Sequence, residues 1–108
     1  MGTAEKVVAL SRDFGSQRRL AELLGVSPAQ ITRWRRGQGI DDVNAGRVDL
    51  LDLVMASLLR LYATEAAERW LLGANPSLRD RRPLDLIRRG QTSPVLDAIA
   101  SERAGSYA

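Results

Sequence analysis

Guanidinium groups are the chemistry this chain has most of. Lys6 is its single lysine, every other cation is arginine, and the arginines concentrate in two stretches. One is "QRRLAELLGVSPAQITRWRRG", residues 17 to 37, and the other is "NPSLRDRRPLDLIRRG", residues 75 to 90. Planar guanidinium forks suit phosphates, guanine edges and carboxylates, although a GC-rich genome produces the same arginine bias with no functional meaning. Cysteine and histidine are both absent. That removes disulfides, thiolate nucleophiles, most zinc sites and the usual general base, so no enzyme, metal site or cofactor is expected.

The charge is modest overall, +3, but uneven. Residues 1 to 39 carry seven cations against three acids, residues 40 to 69 three against six, and residues 70 to 108 six against four. A chain of 108 residues fits one small domain or two very small helical units. With 44% hydrophobic but only 5% aromatic residues, the apolar content suits packed helices better than a β-sandwich. The N-terminal "MGTAEKVVALSRDF" lacks a signal peptide's long apolar stretch, and Lys6 occupies the position where myristoylation needs Ser or Thr. The longest apolar run, Leu53 to Leu59, is far short of the ~20 residues of a membrane span. A cytoplasmic protein with no membrane partner is expected.

Gly and Pro divide the chain into about seven helical segments. The first, near Thr3 to Asp13, takes Thr3 as N-cap and turns Val7, Val8, Leu10 and Phe14 inward. Ser16 caps the second, Gln17 to Leu24, which ends on Gly25 in the left-handed C′ position. The third starts on Ser27 with Pro28 at its first position and Gln30 closing a capping box, and runs to about Arg36. "VDLLDLVMASLLRLY" reads as a long helix from Asp42 to Tyr62. Asp49, Asp52, Ala56 and Arg60 form its narrow polar face, Leu51, Val54, Met55, Leu58 and Tyr62 an inward arc, and Leu50, Leu53 and Leu61 widen that arc. Such a helix is either a spine between two halves of the chain or half of a homodimer interface.

Residues 17 to 37 combine a small Ala21 at a helix crossing, Gly25 at the turn, and Ile31 and Trp34 as inward residues. This resembles the helix-turn-helix of Xre/Cro-type DNA-binding proteins. The resemblance implies a groove-facing set of Ala29, Gln30, Thr32 and Arg33, with Arg35 and Arg36 nearer the phosphates. Gln30 would read adenine, Arg33 guanine and Thr32 a thymine methyl, while Gln17 and Ser27 would offer helix N-termini to phosphates. The bland alternative is a helical core with a solvated basic face. Trp34 belongs to the core on either reading.

In the second stretch, Arg79, Arg81, Arg82, Arg88 and Arg89 could track phosphates, but a structural reading is favoured. Pro83 starts a short helix, Leu84, Leu86 and Ile87 supply its apolar side, Arg88 and Arg89 sit in its last turn, and Gly90 stops it. Before it, Thr64 would cap a helix ending at Gly73. Trp70, Asn75-Pro76, Leu78, Pro83 to Ile87, Gly90, Val95-Leu96, Ile99, Gly105 and Tyr107 resemble the C-terminal toxin-binding domain of the Xre/MbcA/ParS antitoxins. Trp70 and Asn75 mark that fold rather than a ligand site. Arg79 to Arg82 depart from the family pattern, where smaller residues, often glycine, precede the proline.

The resemblance implies an all-α protein. A helix-turn-helix region over residues 1 to 40 is joined by a central helix, 41 to 63, to a toxin-binding domain, 64 to 108. It further implies a type II antitoxin whose partner is a RES-domain toxin that destroys NAD⁺, with the antitoxin's C-terminal end over the toxin's active site. Repression of its own operon through operator DNA and a homodimer complete the expectation. Toxin contacts then fall between Val95 and Ala108, on Arg103, Gly105, Ser106, Tyr107 and Ala108, with Arg103 able to pair with acids and Tyr107 serving as an anchor. Without the resemblance, "AGSYA" reads as a frayed terminus. The rival function is a free-standing helix-turn-helix repressor whose C-terminal half only dimerises.

Overall fold

The computed structural model describes residues 2 to 105. Those residues are all-helical: seven α-helices and one 3₁₀ turn among them, with no strand. They form two compact units, one through Asp52 and the other from Leu53 onward, so the division falls inside the central helix.

In the first unit, α1 (Thr3–Asp13) is capped by Gly2 rather than by the expected Thr3, which is its first helical residue and makes no side-chain cap. Val7 and Leu10 are fully buried and Phe14 nearly so, while Val8 is only half-buried. Ser11 is the buried polar residue on this helix, and its hydroxyl is satisfied by the Val7 carbonyl at 2.8 Å. Helix α2 (Gln17–Leu24) starts as the sequence requires, the Ser16 side chain accepting the Arg19 N–H at 3.0 Å. It ends on Gly25 at φ 71°, with the Val26 N–H closing onto Ala21 O at 3.0 Å. In α3 (Pro28–Arg35) the capping box forms in full. Leu20, Ala21, Ile31 and Trp34 meet in the core, where α1 packs on α2 and α3, and α2 on α3.

Helix α4 (Asp42–Leu58) begins on Asp41, whose carboxylate accepts the Asn44 N–H at 2.7 Å. Those hydrogen bonds hold the Asp41 carboxyl below its ordinary pKa. The helix stops four residues before the expected Tyr62. The N–H groups of Leu61 and Tyr62 both turn onto Leu58 O, at 2.9 and 2.8 Å, and the chain then extends through Ala63 into the next helix. Tyr62 is therefore in a turn and half-buried. The inward arc holds for Leu51, Val54, Met55 and Leu58 and widens to Leu50, but Leu53 is 50% exposed and Val43 65%.

In the second unit, α5 (Thr64–Leu72) has Ala63 as its N-cap, so the expected cap Thr64 is instead the first helical residue. Gly73 ends it where a Cβ would lie 3.1 Å from the Arg69 carbonyl. Asn75 then caps the 3₁₀ turn Pro76–Leu78 by accepting the Ser77 N–H at 2.9 Å. The loop closes through Asn75 N–H to Arg81 O at 3.1 Å and Asp80 N–H to Asn75 O at 2.9 Å. Arg79 and Asp80 take φ values of 58° and 65°. This is where the sequence leaves the family pattern, and two non-glycine residues hold the left-handed conformation that smaller residues would adopt more readily.

Pro83 opens α6 (Pro83–Arg88), burying Leu84, Leu86 and Ile87. Gly90 at φ 69° stops it, with Gln91 N–H closing onto Leu86 O at 2.9 Å. The last helix is α7 (Thr92–Gly105). Pro94 does not break it, because a proline in the first turn removes no intrahelical hydrogen bond. Helix α6 packs on α5 and α7, and the 3₁₀ turn on α7.

Candidate functional site

The first candidate site lies on α2 and α3. Pro28 at the first position and the Ser27 cap fix where α3 begins, and burial of Ile31 and Trp34 turns the remaining positions outward. Arg33, Arg35 and Arg36 are exposed and paired with no acid among the described residues. Gln17, at the first position of α2, reaches across. Its amide donates to Thr32 Oγ1 at 3.4 Å, and its carbonyl accepts from the Arg35 guanidinium. Gln17, Thr32, Arg35 and Arg36 thus line one cleft of about 320 Å³, together with Val8 of α1. Sequence reasoning placed Val8 in the core; its half-burial is the price of a position at the edge of the apolar stripe.

Ser27 and Gln30 are held apart from this cleft's network by their own bond. The Gln30 carbonyl accepts the Ser27 N–H at 2.9 Å, and the Gln30 N–H donates to Ser27 Oγ at 3.2 Å. Thr32 Oγ1 donates to Pro28 O at 3.2 Å, so its hydroxyl is engaged and its methyl is the part left to offer. Arg33 does not line the cleft; its Nε passes close to Gly39, 3.8 Å from where a Cβ there would stand.

The second candidate site is the end of α7. Val95, Ala98 and Ile99 are buried, and beyond them only Glu102 is half-buried among residues 100 to 105. The Tyr62 hydroxyl donates to Glu102 Oε1. Tyr62, Ser101, Glu102 and Gly105 line a cleft of about 370 Å³. Arg103 and Gly105 are exposed in the last turn, where a cation also faces the negative end of the helix dipole. Ser106, Tyr107 and Ala108 lie outside the described residues. Tyr62 was not singled out from the sequence as a site residue, and nothing local signals its contact with a residue 40 positions away.

The arginine-rich stretch between these elements is organised by its acids. Arg82 grips Asp85 through two hydrogen bonds, at 2.8 and 3.0 Å, which hold the Asp85 carboxyl below its ordinary pKa, with Arg88 and Arg89 adding to the effect. Arg81 Nε donates to Leu78 O at 3.0 Å. Trp70 is half-buried as a packing residue, with its indole N–H buried and unpartnered among the described residues.

No family model matches the chain. It is 28% identical over 89 residues to the mycobacterial cidal antitoxin MbcA of Mycobacterium tuberculosis and of Mycobacterium bovis, covering 82% of this chain and 79% of each relative. Its structure superposes on a chain of the crystal structure of the M. tuberculosis MbcT–MbcA toxin–antitoxin complex with a TM-score of 0.76, at 27% identity and 94% coverage of both chains. With that agreement in both sequence and fold, the chain is a homologue of the MbcA antitoxins, and the resemblance to the Xre/MbcA/ParS group is borne out.

Proposed function

We propose that this chain is a type II antitoxin that neutralises a RES-domain, NAD⁺-degrading toxin by covering its active site with the C-terminal end. The observation carrying this reading is the match, over nearly all of both chains, to a protein solved in a toxin–antitoxin complex. The exposed end of α7 supports it, with Arg103 projecting from the last turn and available to an acidic partner group. Gly105, Ser106, Tyr107 and Ala108 complete the proposed set of toxin-contacting residues.

The α2–turn–α3 element serves as a helix-turn-helix on operator DNA. The exposed Arg33, Arg35 and Arg36, none paired with an acid among the described residues, support this role, as does the cleft they share in part with Gln17 and Thr32. Arg33 reads guanine, Thr32 meets a thymine methyl, Arg35, Arg36 and Gln17 hold phosphates, and Ser27 presents the start of α3 to a phosphate. Gln30 reads adenine after its side chain leaves the capping box. The exposed Val43 and Leu53 of α4 supply apolar area for a homodimer, and action in the cytoplasm follows from the toxin's substrate.

The test is co-expression with the product of an adjoining RES-domain reading frame. A stable complex and restored growth are expected. With no such frame and no complex, the chain would be a free-standing repressor.

A further inference from the structure

The last helix runs past the point where its own packing ends. Its buried apolar residues stop at Ile99, and Ala100, Ser101, Arg103, Ala104 and Gly105 are all exposed. The helix nevertheless continues to Gly105. Terminal turns without buried apolar contacts fray readily, and a sequence of "ASERAG" ending in glycine has no intrinsic propensity strong enough to prevent it. Glu102 is the exception in this segment, half-buried, with its carboxylate accepting the Tyr62 hydroxyl. Tyr62 stands at a place built to aim it, in the turn formed where Leu61 and Tyr62 both hydrogen-bond to Leu58 O.

We propose that Tyr62 is a positioning residue for toxin binding, holding the last turns of α7 helical through Glu102 so that the C-terminal end meets its partner already ordered. The inference rests on the reading of that end as the toxin-binding segment. A segment ordered before binding need not be ordered at the moment of binding, and the affinity gains by the difference. Tyr62 need touch no partner atom to have this effect, and it therefore differs from Arg103 and the residues after it.

The experiment uses the 108-residue chain and a RES-domain toxin of the kind proposed above as its partner. Affinity and amide hydrogen exchange at residues 101 to 105 are measured for wild type, Tyr62→Phe, Glu102→Ala and Glu102→Gln. Tyr62→Phe should speed exchange at those amides, leave α5 and α6 protected, and weaken binding about fivefold to tenfold, the fold-change that one net hydrogen bond provides. Glu102→Ala, which removes the acceptor from the other side, should weaken binding at least as much. Glu102→Gln keeps an oxygen for the Tyr62 hydroxyl and should retain most of the affinity. Unchanged affinity in Tyr62→Phe and Glu102→Ala would overturn the proposal, as would a Glu102→Gln loss equal to that of Glu102→Ala, which would make the Glu102 charge a direct contact. If wild type itself captures no toxin, the functional reading falls and the proposal with it.

Discussion

At the scale of single residues, the distinction that matters is between side chains already committed within the protein and those still available. Arg33 is exposed and pairs with no acid among the described residues, so, on the proposed reading, Arg33→Ala should weaken operator binding by about 1 to 3 kcal/mol and relax one base position. Fluorescence anisotropy on operator and random duplexes checks this, and an equal loss on both would make Arg33 a phosphate contact. Two aspartates give opposite pH behaviour. Asp13 is raised above its ordinary pKa, first by burial, against the lowering effect of Arg12, with Asp52 raising it further. Its folded form therefore binds its proton more readily than the unfolded chain does, so its ionisation disfavours folding, and this penalty is lifted as pH falls through the raised value. Asp85, lowered by Arg82, contributes stability above the unfolded carboxylate value of about 3.9 that is lost as pH falls through its lower folded value. Asp13→Asn should accordingly raise the melting temperature at pH 7 and Asp85→Asn lower it slightly, the pair being exposed and worth little. Both differences should shrink as pH falls through the folded value of each group.

At the scale of elements, helix starts were legible where a side chain makes the cap or a proline opens the helix. Ser16, the Ser27–Gln30 box, Pro83 and the glycine stops at Gly25 and Gly90 all act within a few residues of themselves, so local sequence carries the signal. The end of α4 was not legible. Its apolar pattern continues through Leu61, and the stop is made by two backbone N–H groups sharing one carbonyl. The left-handed Arg79 and Asp80 were flagged only as a departure from a pattern of smaller residues, since neither residue type announces a positive φ. The capping box also separates fold from function in α3. Gln30→Glu keeps an acceptor for the Ser27 N–H and should preserve the melting temperature while removing the amide that adenine recognition needs. Ser27→Ala should cost about 1 kcal/mol of stability by denaturant titration. Unchanged operator affinity in Gln30→Glu would remove Gln30 from the DNA-reading set.

For the whole molecule, the all-helical fold and the likeness to MbcA were readable because paired motifs in order are more specific than either alone. The likeness to MbcA over 94% of both chains extends what residues 64 to 108 suggested. What sequence could not supply was the tie between Tyr62 and Glu102, because a contact across 40 residues exists only once α7 is folded beside the turn. The proposal that the C-terminal end silences an NAD⁺-degrading toxin is tested most directly by NAD⁺ depletion in vitro. The proposed partner, a RES-domain toxin from an adjoining reading frame, is assayed with residues 1 to 108 and with a chain ending at Glu102, circular dichroism confirming that both are folded. The 108-residue chain should stop NAD⁺ loss and the truncated one should not; equal protection by both, or continued NAD⁺ loss with the 108-residue chain, would contradict the proposal.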